Sequence, residues 1–292
     1  MCLIVFDWQP EPRRLILAAN RDEFFARPAL PLTWWPDAPH VLAGRDLQGG
    51  GTWLGLHPDG RFAALTNFRA PAEKALGGPS RGELVADFLR GPRQAPLAYL
   101  TQMAQDQASA AEPMRGYNLL AGNLADGELA YYSNRADAPP RLLTPGCYGL
   151  SNALLDTPWP KVEAKKADLR ALLARTGANL GTDCGNHLAK KRGTGTATGA
   201  DPVPLDALLA LMQDSRTAPD AALPSTGLSL ERERALSAAY IALPDYGTRC
   251  ITALSCANGV VEIVERGDST PDGERDAAHP RYSRQRYAFV RD

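Results

Sequence analysis

The second residue of this chain is a cysteine that directly follows the initiator methionine. Methionine aminopeptidases accept a small side chain after Met1, so we expect the mature protein to begin at Cys2. A thiol and a free α-amine then belong to one residue, which joins a nucleophile to its own base. The alternative is that Cys2 is a small apolar residue at the start of a buried strand, since buried free cysteines are common.

Polar residues follow two of the apolar segments in the first quarter of the chain. Asn20-Arg21-Asp22-Glu23 comes directly after a predicted strand, and its Arg and Asp could pair or orient a nearby ammonium or thiol. Asn67 ends another predicted strand, where its amide could donate to a developing oxyanion. Each segment, taken singly, is equally compatible with an ordinary charged or Asn-initiated turn.

Later segments add two more polar clusters. Ser151 and Asn152 again end an apolar run, and Tyr246–Cys250 leads into a late strand. In the latter, Arg249 could clamp a carboxylate or support a buried nucleophile; the alternative is a surface arginine at a strand start. The glycines of Gly49–Trp53 permit close backbone approach to a ligand. They do not indicate a phosphate loop, because no Gly-Lys-Ser/Thr follows.

The composition restricts the class of partner. Of the 292 residues, 32 are basic and 33 are acidic, and the net charge of −1 gives no reason to expect a nucleic-acid or anionic-membrane partner. No apolar run approaches the roughly 20 residues that cross a bilayer, and no secretory leader is recognisable, so we expect a cytoplasmic protein. The five cysteines show no zinc-ligand spacing and are expected to be free thiols, with no metal bound.

The order of the predicted elements indicates an α+β fold. Apolar runs predict strands at 2–8, 15–19, 61–66, 117–121, 128–133, 148–151, 250–255, 260–265 and 282–290. Helical spacing predicts helices at 96–104, 160–175 and 204–212, and one that begins at the capping-box pattern of 80–83. We expect a single domain over 1–292, with surface excursions near 183–201 and 215–226.

Taken together, the polar blocks resemble a known family. With Cys2 ahead of them, the segments AANRDEF, GGTWLG, ALTNFR, LSNALLDTPWPKV and YGTRC are similar to the signature blocks of the NRDE family, the transport and Golgi organisation protein 2 family. The resemblance spans essentially the whole chain. That family in turn resembles cysteine N-terminal nucleophile (Ntn) hydrolases such as penicillin V acylase and bile salt hydrolase. The resemblance implies a four-layer αββα sandwich of antiparallel sheets covered by helices.

The resemblance also implies roles for individual residues. It makes Cys2 the nucleophile, Asp22 the contact of the terminal amine, and Asn67 an oxyanion donor. Asn152 matches the second asparagine of the acylases, and Arg249 matches their late arginine.

One position departs from the acylase pattern. The slot of the early acylase arginine holds Ala19, and Arg21 follows two positions later, which on a strand returns it to the same face. Either Arg21 substitutes for the missing arginine, or the Cys2 thiol lacks one cationic neighbour and its pKa is less depressed. The same blocks supply the candidate substrate-binding side chains Asn20, Trp53 and Thr66.

The leading functional hypothesis is hydrolysis of a small amide, or of a thioester, through an acyl-enzyme on Cys2. It requires no metal or organic cofactor, and the substrate is a small molecule with an apolar part. The alternative is a non-enzymatic haem or acyl-lipid trafficking protein, because the resembled family has been linked to haem movement and lipid homeostasis. For that alternative, an apolar cleft could be lined by Trp34, Trp35 and Trp53, although core packing explains them equally well. No spacing marks an axial haem ligand, and His40 and His57 are the nearest histidines.

Overall fold

Two antiparallel β-sheets form the centre of the protein in a computed structural model that describes residues 2–71, 79–109, 113–177, 203–268 and 278–289. The first sheet has six strands. In spatial order they are β10 (Gly146–Leu150), β1 (Cys2–Gln9), β2 (Arg14–Phe24), β11 (Tyr246–Ala257), β12 (Val260–Gly267) and β13 (Arg281–Ala288).

The second sheet has seven strands, and five helices cover the two sheets within the described residues. In spatial order its strands are β3 (Ala29–Trp35), β4 (Ala38–Asp46), β5 (Leu54–Leu56), β6 (Arg61–Asn67), β7 (Tyr117–Asn123), β8 (Glu128–Ser133) and β9 (Arg141–Leu142). The helices are α1 (Gly82–Arg90), α2 (Pro96–Ala108), α3 (Pro160–Arg175), α4 (Leu205–Leu211) and α5 (Leu230–Leu236).

Three apolar clusters show how these layers stack. Phe6 of β1 packs between the sheets in one cluster with Phe62 of β6. Val5, which precedes Phe6 on β1, points to the other face of the first sheet and packs with Leu169 of α3 and Leu208 of α4. The outer face of the second sheet packs against α1 and α2. The order is helix, sheet, sheet, helix, which confirms the predicted four-layer αββα sandwich.

The strand β2 is longer than predicted. Asn20–Glu23 was expected as a polar segment after the strand, but the strand continues through it to Phe24. The reason is pairing on both sides: Arg21 lies opposite Cys2 of β1 and opposite Cys250 of β11. Ladder hydrogen bonds with two neighbouring strands hold this polar stretch extended in spite of its low strand propensity.

Several elements have no apolar pattern that marks them in the sequence. The edge strand β3 buries only Leu32 and Trp35 and contains Pro31, so periodicity does not reveal it. The helix α5 has only seven residues, and no helix was predicted there. The capping box at Ser80–Glu83 was wrong, because the residue that precedes α1 is Arg81 and no side chain caps the helix.

The two predicted surface excursions differ in what can be said of them. The segment 183–201 lies outside the described residues. The segment 215–226 is described, is mostly exposed, and contains one short 3₁₀ turn at Asp220–Ala222. Within the described part of the chain, no helix is long and apolar enough to cross a membrane.

Candidate active site

A cavity of about 600 Å³ opens where β1 begins and where β2 and β6 end. Its wall also includes residues of α5 and of the turn that leads into α1. Five of the residues predicted to form the site line this cavity: Cys2, Arg21, Asp22, Trp53 and Asn67. The topology therefore brings together groups that lie up to 65 positions apart in the chain.

Three contacts position Cys2. It pairs with Arg21 across the β1–β2 ladder, which fixes the first residue of the strand. The backbone N–H of Asp22 hydrogen-bonds to the thiol, and the Ser151 hydroxyl donates to the Cys2 carbonyl oxygen at 3.0 Å. Burial raises the pKa of the Cys2 thiol, and the nearby Arg21 guanidinium acts in the opposite direction. The thiol is consequently protonated at neutral pH and needs a base before it can attack.

Asp22 is held on both its side chain and its backbone. Its Oδ1 accepts a hydrogen bond from the Thr248 hydroxyl at 2.7 Å, and its carbonyl oxygen accepts one from the Tyr246 hydroxyl at 2.9 Å. Burial raises the pKa of Asp22, and the positive charge of Lys161 acts against that rise. Asp22 directly follows Arg21, the residue that pairs with Cys2 across the two strands. A fixed, buried carboxylate at this position is suited to hold an ammonium group.

Arg21 lines the cavity together with the Trp53 indole. Its guanidinium lies over the Trp53 ring, 4.2 Å from the centroid, and 3.5 Å from Asp46 Oδ2. The indole has room because position 44 is a glycine: a Cβ at Gly44 would come within 2.3 Å of the ring. Arg21 thus lies beside the Cys2 thiol with its orientation fixed by stacking.

Asn67 is clamped to the loop after β10. Asn152 Nδ2 donates to the Asn67 carbonyl oxygen at 2.8 Å, and the Arg69 N–H donates to the Asn152 carbonyl oxygen at 2.7 Å. These two hydrogen bonds fix the backbone from which the Asn67 amide enters the cavity. Asn152 itself is buried and is absent from the cavity wall, so its contribution is to position Asn67.

Two other predicted site residues point elsewhere. The Asn20 amide donates to the carbonyl oxygens of Met212 and Ala239, on the side of the first sheet that faces the helices. The Thr66 hydroxyl accepts a hydrogen bond from Asn118. Neither residue lines the cavity. Strand alternation explains the placement of Thr66, which sits between the lining residues Leu65 and Asn67 and therefore faces the opposite side. Asn20 shares a strand face with Asp22 but lies two residues further from the end of β2 at which the cavity opens.

Arg249 also lies away from this cavity. Its Nη1 donates to the carbonyl oxygens of Phe24, Phe25 and Arg27, at 3.0, 3.0 and 2.5 Å. The guanidinium therefore fixes the turn that follows β2 and contributes to a smaller cavity on the far side of Trp53. Of the three tryptophans proposed for an apolar cleft, only Trp53 lines the main cavity. Trp34 packs against the core between the sheets, and Trp35 packs in the core between the second sheet and its helices.

Lys161 is a charged group that the sequence analysis did not assign to the site. It lies in the first turn of α3, is buried, and donates through Nζ to the Leu236 carbonyl oxygen at 3.0 Å. Burial lowers the pKa of Lys161 to about 8, while the nearby Asp22 and Cys2 act to raise it. Pro158 and Pro160 before it predicted the start of a helix. No local pattern distinguished Lys161 from a surface lysine in the first turn of that helix.

The depressed pKa of Lys161 predicts a measurable pH dependence. Above pH 8 the folded chain releases this proton, while the unfolded chain keeps it up to about pH 10.4. The unfolded state then binds more protons, so the free energy of unfolding gains about 1.4 kcal/mol per pH unit from this group across that window. Urea unfolding of the natural chain and of Lys161→Met between pH 7 and 10 measures the difference. Parallel curves for the two proteins would contradict the assignment.

The fold and the cavity define an αββα sandwich protein with a cysteine at the head of a central strand. The chain belongs to the Transport and Golgi organisation 2 family, whose model matches residues 1–268. This membership confirms the family predicted from the sequence.

Curated relatives from animals match most of the chain. The Transport and Golgi organization protein 2 homolog of Bos taurus is 36% identical over 283 residues, covering 91% of this chain and 92% of the relative. The Homo sapiens homolog is 34% identical over 285 residues, with the same coverage of both chains. The Drosophila melanogaster protein is 33% identical over 193 residues, or 61% of this chain and 66% of the relative.

Solved structures show only a distant likeness. A C2A mutant of conjugated bile acid hydrolase from Clostridium perfringens has a TM-score of 0.37 and 9% identity, covering 99% of this chain and 97% of that chain. A Caenorhabditis elegans ortholog of N-acylethanolamine-hydrolyzing acid amidase has a TM-score of 0.39 and 11% identity, covering 59% of this chain and 79% of that one. The helix, sheet, sheet, helix order follows from the packing of this chain itself.

Proposed function

We propose that this chain is a cysteine N-terminal nucleophile hydrolase that cleaves a small amide or a thioester through an acyl-enzyme on Cys2. The observation that carries the proposal is the convergence of Cys2, Asp22 and Asn67 on one cavity, from the start of one strand and the ends of two others. A thiol, a buried carboxylate and an amide donor are the groups that acyl transfer requires.

In the proposed mechanism, removal of Met1 exposes the α-amine of Cys2. The amine accepts the thiol proton, and the thiolate attacks the substrate carbonyl to form a tetrahedral intermediate. The Asn67 amide donates to the oxyanion, and the ammonium returns the proton to the leaving amine or thiol as the bond to the carbonyl carbon breaks. Water then attacks the acyl-enzyme with the amine again as base, which releases the acid and restores the thiol.

The surroundings of Cys2 explain why the amine is needed. Burial keeps the thiol protonated at neutral pH, and Arg21 offsets that effect only in part. Asp22 holds the ammonium that forms when the amine takes the proton, and its own hydrogen bond from Thr248 keeps the carboxylate in place. Free thiols at all four described cysteines are compatible with a reducing cytoplasm, the compartment that we propose.

The experiment that tests the proposal is intact-mass spectrometry combined with acyl-probe labelling. The purified protein is expected to lack Met1, and an electrophilic acyl probe is expected to label Cys2 ahead of the other four cysteines. Cys2→Ala should remove this labelling, while Cys256→Ala, which replaces a fully buried thiol, should leave it unchanged. Retention of Met1 in the active protein, or equal labelling of all cysteines, would reject the mechanism.

The oxyanion role of Asn67 gives a quantitative expectation. Asn67→Ala should slow acylation of Cys2 by about 10²–10³-fold, the cost of removing one oxyanion-hole donor. Asn67→Asp, which keeps the shape but replaces the amide donor with a carboxylate, should be at least as slow. Pre-steady-state acylation by 4-nitrophenyl acetate measures both variants. If Asn67→Asp kept the rate of the natural protein, the amide would have no role as donor.

The alternative of a haem or acyl-lipid carrier stays a prediction. Of the aromatic and histidine residues that the sequence analysis named for it, only Trp53 lines the cavity. His57 Nδ1 instead accepts a hydrogen bond from the Asp59 N–H at 3.1 Å. The distinguishing measurement is a haem titration, which for a carrier should give a saturable spectral shift that survives Cys2→Ala.

A further inference from the structure

The charge on the cavity wall is strongly unbalanced. Six arginines and three carboxylates line it. The arginines beside the strand ends have carboxylate partners: Arg21 and Arg27 share Asp46 Oδ2, at 3.5 and 2.6 Å, and Arg69 pairs with Glu233 at 2.5 Å. The other three make no ion pair with any residue that the structure describes; they are Arg81, Arg115 and Arg232.

Two of these three arginines lie close together. Arg81 immediately precedes α1, and its Nη1 donates to the Gly116 carbonyl oxygen at 2.9 Å, the residue that follows Arg115. Burial and the positive charge of Arg115 together lower the pKa of Arg81 to about 10, while the negative charge of Glu23 acts in the opposite direction. The Arg115 guanidinium makes no hydrogen bond to a described residue.

An arrangement of this kind costs free energy in the empty protein. Two like charges repel each other, and partial burial removes the water that would screen them. In a concave site, arginine side chains raise the local concentration of anions. A carboxylate or a phosphate placed between two guanidinium groups would remove the repulsion and form charge-assisted, bidentate hydrogen bonds with both.

We propose that Arg81 and Arg115 form an anion-binding subsite of the cavity, and that the substrate carries a carboxylate or phosphate group bound by both. The inference deepens the proposed hydrolase and rests on it for the reacting end of the substrate. Arg81, Arg115 and Cys2 all line the same cavity. The anionic group and the scissile carbonyl therefore occupy one cavity, which indicates a small anionic amide or thioester.

The test measures anion binding separately from catalysis. Isothermal titration calorimetry is carried out on the full chain with Cys2→Ala, at constant ionic strength, with sodium phosphate and sodium glutarate in separate titrations. We expect saturable binding of at least one anion, and the anion that binds identifies the group as phosphate or carboxylate. Adding Arg115→Gln should weaken that binding about tenfold or more, because a charge-assisted contact is lost.

Controls separate a local effect from a general one. Arg286→Gln removes an exposed arginine on β13 that pairs with Glu262, and it should leave the affinity unchanged. Arg81→Gln also loses the hydrogen bond to the Gly116 carbonyl oxygen, so the folding of this variant is checked by circular dichroism. If Arg81→Gln does not fold, Arg115→Gln alone tests the proposal. Arg115→Lys, which keeps the charge but cannot form the bidentate hydrogen bonds, should bind with an affinity between those of Arg115→Gln and the parent Cys2→Ala protein.

The proposal is overturned if neither anion binds saturably, or if Arg115→Gln binds as tightly as Arg286→Gln. Failure of the hydrolase is distinguishable from failure of the subsite. Acylation of Cys2 by the neutral 4-nitrophenyl acetate does not require the anion subsite, and the calorimetry does not require Cys2. Loss of one result with retention of the other therefore assigns the failure to a single proposal.

Discussion

An additional glycine placed before Cys2 is expected to slow acylation of the Cys2 thiol by about 10²–10⁴-fold, the range that a positioned general base contributes. The extension moves the α-amine away from the thiol and converts the nitrogen of Cys2 into an amide, which cannot accept a proton at neutral pH. Stopped-flow release of 4-nitrophenol from 4-nitrophenyl acetate measures the rate in the extended and the processed proteins.

The pH profile distinguishes loss of the base from a disturbed fold. Burial raises the pKa of the Cys2 thiol. In the extended protein, acylation should therefore follow thiol ionisation and keep rising beyond the ordinary thiol pKa of about 8.5. The processed protein should reach its maximum at lower pH, because the amine removes the proton during attack. Equal rates and equal profiles for the two proteins would show that the amine takes no part.

Glu233→Ala is expected to lower the free energy of unfolding by about 3–5 kcal/mol, the cost of leaving one partner of a buried ion pair uncompensated. Glu233 on α5 pairs with Arg69 at 2.5 Å, and the two side chains are only 4% and 5% exposed. Glu233 also accepts hydrogen bonds from the backbone N–H and the hydroxyl of Thr226. Urea unfolding at pH 7 measures the change through the transition midpoint.

Two further variants show whether the effect comes from the buried pair. Glu231→Ala removes an exposed carboxylate from the same helix and should change stability by less than about 0.5 kcal/mol. The double variant Arg69→Met with Glu233→Leu removes both charges and should recover much of the loss, because apolar side chains replace buried ions at little cost. A double variant no more stable than Glu233→Ala would locate the loss in packing and in the Thr226 contacts instead.

The ion pair also connects the fold to the proposed chemistry. Arg69 follows Asn67 by two residues, and its guanidinium lies 4.6 Å from the centroid of the Trp159 ring. Its backbone N–H completes the clamp on Asn152 that positions Asn67. Weakening the attachment of α5 should therefore lower acylation at denaturant concentrations far below the unfolding transition.

Local sequence signals were sufficient for the elements with a clear apolar pattern. The run 2–8 predicted β1, and the helical spacing of 160–175 predicted α3 to the residue, because Pro160 suits a first helical turn. The motif blocks also identified Cys2, Asp22 and Asn67, which the tertiary structure brings to one cavity. Each of these predictions uses only residues that are adjacent in the sequence, so no knowledge of the tertiary structure is needed to make it.

By itself, the sequence determined the α+β class, the family and the identity of the groups at the strand ends, because apolar periodicity and motif residues are local properties. The four-layer αββα sandwich was implied by the resemblance to the family. Only the tertiary structure decided the direction of each side chain. It turned Asn20 and Arg249 away from the cavity, and it paired Arg69 with Glu233, 164 residues later. Alternation along a strand fixes which residues share a face, but long-range packing decides which face meets the cavity. Cys2 is a nucleophile candidate because its strand begins at that cavity.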